Sequence, residues 1–155
     1  MPTSAMATRA ELSLSMQCGD GVTTLPASRA QIRRWVAAAA EMPCELTLRF
    51  VDLDEARRLN AQFRGRDYAT NVLTFPYDAP DVAIADIVVC LPVVEREARE
   101  QDKPLPTHLA HMIVHGVLHA QGYDHEDDDD AQLMEARERR ILARFRIDDP
   151  YRPAD

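Results

Sequence analysis

The chain has 155 residues, of which 46% are hydrophobic and 28% charged, and its net charge is −8. These values are ordinary for one soluble domain with a single core, and the negative charge disfavours a general polyanion-binding protein, which usually carries a basic surface. The longest apolar run, residues 35–40, is far too short to span a bilayer, and the first residues lack the pattern of a signal peptide.

Apolar periodicity and turn residues divide the chain into nine predicted elements. In chain order they are a strand at 11–17, a helix at 28–42, a strand at 45–53, a helix at 54–63, strands at 71–77 and 84–91, helices at 92–101 and 107–121, and a helix that follows the acidic run 127–130 and ends near 145. Ser28, Asp54 and Thr107 are the predicted N-caps. The near-continuous apolar segment 84–91 is typical of a central strand.

This mixture of strands and helices predicts an α+β fold with a mixed sheet of about four strands flanked by helices. We expect a single domain over residues 10–148, with loose tails at 1–9 and 149–155. The three cysteines, which are far apart and form no Cys-x-x-Cys pair, are typical of reduced thiols. We therefore expect a cytoplasmic protein that does not bind membranes.

All five histidines lie between His108 and His125. His115 and His119 are four residues apart, so they share one face of a helix and can hold one metal ion. The turn at 122–124 can bring His125 round as a third ligand. Three imidazoles with an open fourth position are typical of catalytic zinc, and a metal ion in such a site lowers the pKa of a bound water.

Other interpretations of this region stay open. His111 could be a ligand in place of His125, or it could pack beside the site together with His108. The acidic run 127–130 is most simply a helix-capping feature, with a second metal site as the alternative. Gly116 stands where the His-Glu-x-x-His metalloproteases have their general base; it could leave room above the metal or let a neighbouring element pack close.

Four segments of the chain resemble the YbeY endoribonucleases, also called rRNA maturation factors. They are HMIVHGVLHAQGYDHE (111–126), FRGRDYATNVLTFPY (63–77), ADIVV (85–89) and MEARERRIL (134–142). The resemblance covers most of residues 45–145, and the three-histidine motif with its Gly-Tyr-Asp turn is highly specific. Two positions depart from the family's pattern: Ala85 stands where glycine is usual, and Ala120 where leucine is usual.

The resemblance implies a zincin-like fold, one zinc ion per chain on His115, His119 and His125, and a functional role for Arg64. It also implies an endoribonuclease that prefers single-stranded RNA and acts in 3′-end maturation of 16S ribosomal RNA and in ribosome quality control. The expected partners are ribosomal RNA and either a ribosomal protein or a ribosome-associated GTPase.

Arg64 is the candidate catalytic residue. Its planar guanidinium matches two phosphate oxygens and would stabilise negative charge that develops there; an ordinary ion pair at a helix end is the alternative. With Arg57, Arg58 and Arg66 it forms a local basic patch, to which we expect RNA contacts to be confined. A solvated helix face is the alternative for this patch.

Three polar side chains near these motifs have less definite roles. Asp124 could orient a ligand imidazole, while Thr70 and Asn71 could bind backbone oxygens of RNA or cap a turn. No general base can be named from the sequence. Two other functions stay open: a metallohydrolase of another substrate such as a peptide, and a ribosome-associated binding factor whose metal is structural.

Overall fold

The structure is a computed structural model that describes residues 11–152. Its elements in chain order are β1 (Leu12–Cys18), α1 (Arg29–Ala39), β2 (Cys44–Val51), α2 (Leu53–Arg64), β3 (Val72–Tyr77), β4 (Ala83–Cys90), α3 (Leu91–Glu100), α4 (Leu105–Ala120) and α5 (Asp128–Ala143). All nine predicted elements are therefore present, and the predicted α+β class is confirmed. Within residues 11–152, no helix is both long and apolar enough to cross a bilayer.

The sheet has four strands in the order β1-β2-β4-β3. Strands β1, β2 and β4 are parallel, whereas β3 runs antiparallel to β4 and forms one edge. The prediction of a central strand is confirmed for β4, whose side chains are buried at both faces near its end, from Ile87 to Cys90.

The main core lies on one face of the sheet. There α1, α4 and α5 pack against the alternate side chains of β2 and β4, including Leu48, Phe50 and Ile87. On the opposite face, α2 covers a smaller cluster around Val51, Ala56 and Val88. Helix α4 is buried along most of its length, so the histidines that it carries are held by the core rather than by a surface loop.

The predicted cap of α1 and the capping role of the acidic run are confirmed, although α5 begins at Asp128, inside that run; two other predicted N-caps are wrong. Ser28 caps α1 by accepting from the Gln31 amide at 3.0 Å, and Asp127 caps α5 by accepting from the Asp130 amide at 2.8 Å, which gives the acidic run its capping role. Helix α2 is capped by Asp52 rather than Asp54, because β2 ends two residues earlier than expected. Helix α4 begins at Leu105, before Thr107, since a proline is tolerated in the first turn.

The chain beyond α5 differs from the expected loose tail. Residues 149–152 return to the body of the protein, where Tyr151 donates a hydrogen bond to Glu138 and Asp149 pairs with Arg139 at 3.0 Å. Lys103 also donates to the carbonyl of Pro150 at 3.3 Å. The tail expected at 1–9 and residues 153–155 lie outside the described residues, and the domain limits 10–148 stay a prediction.

The three cysteines of the chain are unpaired. Cys18 is exposed at the end of β1, while Cys44 and Cys90 are buried. Burial raises the pKa of both buried thiols, because a thiolate is poorly solvated inside the protein. This arrangement agrees with the reduced thiols expected from the sequence.

Candidate metal centre

The structure brings His115, His119 and His125 together. Nitrogen atoms of the three rings, one from each, lie within 4.8 Å of one another, and the ring centroids of His115 and His119 are 4.6 Å apart. The chain leaves α4 through Gly122, which has a φ of 102° that suits glycine. This turn carries His125 back to face the helix, with ring centroids 4.9 Å from His119.

These three donors fit a divalent transition metal. Nδ1 of His115 lies 2.6 Å from a carboxylate oxygen of Glu138, which leaves Nε2 of His115 as the atom that can bind a metal. Burial lowers the pKa of His119, and the nearby His115 and His125 lower it further. His119 is thereby kept in the neutral form that metal binding requires.

The cluster opens into a cavity of about 620 Å³. Its walls come from the α4–α5 loop, the β3 segment and the end of α2, and they include Arg64, Thr74 and Tyr123. Three histidines on one side and a cavity on the other would leave a coordination position open in a metal ion held there, which is typical of catalytic rather than structural sites.

Glu138 is the site residue that sequence reasoning missed. Its side chain is fully buried in α5, where its two oxygens face Nδ1 of His115 at 2.6 Å and Nε2 of His111 at 3.2 Å. Burial raises the pKa of Glu138, but hydrogen bonds and charge interactions with these histidines outweigh it and lower the pKa to about 2. The carboxylate is therefore ionised and fixes the orientation of His115.

A signal for Glu138 exists in the sequence. It lies in register with Met134, Ile141 and Leu142, the buried stripe of α5. A glutamate in the middle of an apolar stripe is rarely buried without a partner. The conflict between residue type and position therefore indicates a buried polar contact, although it does not say which residue provides the partner.

The contacts of two neighbouring residues favour one of the alternatives for each. His111, with His115 and Glu138, forms a second group of nearby ligand atoms, but its Nε2 already faces Glu138 and the Tyr151 hydroxyl at 3.3 Å. We therefore interpret His111 as a support for Glu138. No hydrogen bond within residues 11–152 joins Asp124 to an imidazole; Asp124 instead accepts from the backbone amide of His125 at 2.7 Å, and Glu138 takes the orienting position expected for it.

Arg64 lies at the rim of the same cavity as the histidines. Its Nη2 donates to the carbonyl of Thr74 at 2.6 Å, and the guanidinium lies 5.3 Å from the ring centroid of Phe75. No ion pair among residues 11–152 involves Arg64. Carbonyl and ring hold the guanidinium in place without neutralising its charge, which leaves it available to an anion.

The rest of the expected basic patch is divided. Arg57 pairs with Asp67 at 2.7 Å, and this exposed pair removes one positive charge from the patch. The Asn71 amide donates to Glu97 at 3.1 Å, and its oxygen accepts from the Val72 amide. Asn71 and Thr70 both line the cavity, but the side chain of Asn71 is already bonded to Glu97 and to the Val72 amide. Glu97 also lies 2.9 Å from Nε2 of His108, so His108 is held by a hydrogen bond to α3 and is not part of the three-histidine cluster.

Gly116 allows α4 to pack closely on the sheet. A Cβ at this position would lie 2.8 Å from Cγ2 of Ile87 and 3.4 Å from Cγ2 of Val72. The glycine therefore makes room for neighbouring elements, strands β3 and β4, rather than for a substrate. A glutamate here would be forced into the sheet, so the general base of the His-Glu-x-x-His proteases has no equivalent at this position.

The fold and the site define a class of protein, an α+β domain with a three-histidine cluster that could hold a metal ion. The family model of the endoribonuclease YbeY matches residues 22–146. The endoribonuclease YbeY of Thiobacillus denitrificans is 60% identical over 91% of this chain and 97% of its own length. That of Methylibium petroleiphilum is 50% identical over 92% of this chain and 96% of its own length. The chain belongs to the YbeY endoribonuclease family.

A solved structure shows the same architecture. The solution structure of TM1509 from Thermotoga maritima is 30% identical and superimposes with a TM-score of 0.61. The match covers 90% of this chain and 99% of that one. The overall fold is therefore shared with a protein that is more distant in sequence than these relatives.

Proposed function

We propose that the protein is a zinc-dependent endoribonuclease of the cytoplasm that cleaves single-stranded regions of ribosomal RNA. Family membership supports endonuclease chemistry on RNA. The observation that carries the proposal is the pairing of a three-histidine cluster and an unpaired arginine in one open cavity. By the resemblance of its motifs, we place its action at the 3′ end of 16S ribosomal RNA and in ribosome quality control.

Each side chain has a defined part in this proposal. His115, His119 and His125 would hold the metal, which when bound supplies Lewis-acid polarisation and activation of water. Glu138 keeps the His115 ring in the orientation and tautomer that present Nε2 to the cavity. Arg64 binds oxygens of the scissile phosphate and stabilises the charge that develops on them.

The other two functions are disfavoured by specific observations. A peptidase of the His-Glu-x-x-His type would need a base where Gly116 packs against Ile87. A binding factor with a purely structural metal would be expected to have four protein ligands, whereas the cluster that faces the cavity has three.

Activity assays with two substrates test the proposal. Metal-loaded and chelated protein are incubated with RNA that has single-stranded and paired regions, and in parallel with casein. We expect metal-dependent cleavage in the single-stranded RNA and none of casein. Casein cleavage, or RNA cleavage that survives complete removal of the metal, would contradict the proposal.

A further inference from the structure

A second cavity lies between α1 and α5, outside the metal site. This groove has a volume of about 890 Å³, and four arginines line it: Arg33, Arg137, Arg140 and Arg144. Glu41 is the one acidic residue among its lining residues, so the formal charge of the lining is positive although the chain carries −8. We call it the arginine groove.

The arginines are arranged along one direction. Arg137 and Arg140 of α5 and Arg144 at its C-cap follow each other at spacings of three and four residues, which places them on one face of the helix, and Arg33 faces them from α1. The three α5 positions extend over about 10 Å of helix. That length corresponds to about three successive phosphates at roughly 3.4 Å per nucleotide of a stacked strand.

Three of these charges have no acidic partner. Arg137 pairs with Glu41 at 3.4 Å, but no ion pair within residues 11–152 includes Arg33, Arg140 or Arg144. Like charges at these helical spacings slightly destabilise a helix. The favourable interaction of a cation with the last turn of α5 explains one basic residue there, but it does not explain why α1 directs another at the same groove.

The arginine groove continues from the metal cavity. Tyr123 lines the metal cavity, and its hydroxyl donates to Glu41 at 2.6 Å. Glu41 in turn pairs with Arg137 and lines the groove. The hydrogen bond between Tyr123 and Glu41 therefore joins one residue of each lining, and a chain that leaves the histidine cluster past Tyr123 would next meet the arginines.

We propose that the arginine groove binds the phosphate backbone of RNA next to the segment held in the metal cavity. The groove has no aromatic residue in its lining, which consists of four arginines, Glu41, alanines and two larger aliphatic side chains. Aromatic anchors are typical both of protein–protein contacts and of base stacking. Their absence from this lining favours phosphates as the ligand, and it predicts binding that does not depend on the base sequence of the RNA.

Binding measurements with metal-free protein test this groove separately from catalysis. The probe is a single-stranded RNA of about 20 nucleotides, titrated at several salt concentrations. We expect Arg140→Ala with Arg144→Ala to raise Kd about 10-fold or more near 0.1 M salt and to reduce the slope of log K against log salt by about 1.4. Adding Arg33→Ala should reduce the slope by about 0.7 more.

Two matched variants make the result specific. Arg96→Ala with Arg99→Ala removes the same charge from exposed positions of α3 and should leave Kd and slope near the wild-type values. Arg140→Lys with Arg144→Lys keeps the charge and should keep the slope. The proposal is overturned if the alanine pair in the groove binds like the wild type, or if the α3 pair weakens binding equally.

The groove proposal rests on the proposed function, and the two can fail separately. With metal-loaded protein, the groove variants should raise KM for the long RNA while leaving kcat, and the cleavage of a substrate of two or three nucleotides, unchanged. If no variant cleaves RNA at all, the proposed function fails, while the metal-free titration still decides whether the groove binds the backbone.

Discussion

At the scale of single residues, some members of the site could be predicted from the sequence and others could not. The three histidines could be predicted because helical spacing and a glycine turn are local properties of the chain. Glu138 could not be assigned, since its partner His115 is 23 residues away and the contact exists only after α4 and α5 pack. The position of Arg64 beside the cluster depends likewise on how α2 and β3 meet.

Arg64 allows catalysis to be separated from metal binding. Arg64→Ala should keep full metal content and near-normal melting while RNA cleavage falls about 10²–10³-fold, which is the effect of removing one charge-stabilising donor. Arg64→Lys should recover part of the rate, because a point charge cannot reproduce a two-pronged contact. Single-turnover assays measure the cleavage rate, and elemental analysis measures the metal content. Full activity of the alanine variant would show that the arginine is structural.

Glu138 should control how tightly the metal is held. Glu138→Gln keeps the size of the side chain but removes the charge that orients His115, so we expect zinc affinity to fall about 10- to 100-fold. Competition with a chromogenic chelator measures this at a temperature where both proteins are folded. Glu135→Gln, the same change one turn earlier on α5, is the control. Equal zinc affinities for wild type and Glu138→Gln would refute the orienting role.

At the scale of elements, the boundaries and caps of the helices were largely predictable, whereas the strand order was not. Ser28 and the run before α5 cap their helices through local hydrogen bonds. The order β1-β2-β4-β3 depends on pairings between distant segments, and so does the contact between α4 and the sheet. Gly116 had two open interpretations for this reason, since the nearest atom is on a strand that precedes it by 29 residues.

A side chain at position 116 should loosen this contact. In Gly116→Ala the better helix propensity of alanine contributes about 1 kcal/mol, but the methyl group would meet a buried β-branched side chain, and overpacking costs about 1–3 kcal/mol. We expect a net loss of about 1 kcal/mol in the free energy of unfolding, measured with urea. Ala136→Gly on the exposed side of α5 measures the propensity effect alone. A Gly116→Ala protein that is more stable than the wild type would show that the strands shift to accommodate the methyl group.

At the scale of the whole molecule, the acidic charge of the chain does not describe its surface. The sequence placed the RNA contacts in residues 57–66, but Arg57 is neutralised by Asp67. The arginine groove was not predicted, because Arg33 and Arg140 are more than 100 residues apart and meet only through the packing of α1 and α5. Composition therefore predicted the kind of domain, but it did not indicate all the places on the surface where an anion can bind.

The metal should stabilise the entire fold. Since it binds the folded chain and not the unfolded one, zinc at about 100 times its Kd adds about 2.7 kcal/mol. For a domain of this size that raises Tm by roughly 5–10 °C. Elemental analysis should find about one zinc per chain, and chelation should lower Tm. His119→Ala should melt like the chelated protein and no longer respond to chelator; melting that is unchanged in both experiments would exclude a tightly held metal.

The unequal burial of the three cysteines provides a labelling site in the native sequence. Cys18 is exposed at the end of β1, and the two buried thiols have raised pKa values, so a maleimide dye should modify about one thiol in the folded protein and three after denaturation. Leu12, at the other end of β1, borders the arginine groove, which places the dye about 20 Å from it along the strand. A fluorophore on Cys18 would thus report the arrival of acceptor-labelled RNA by energy transfer without blocking the groove.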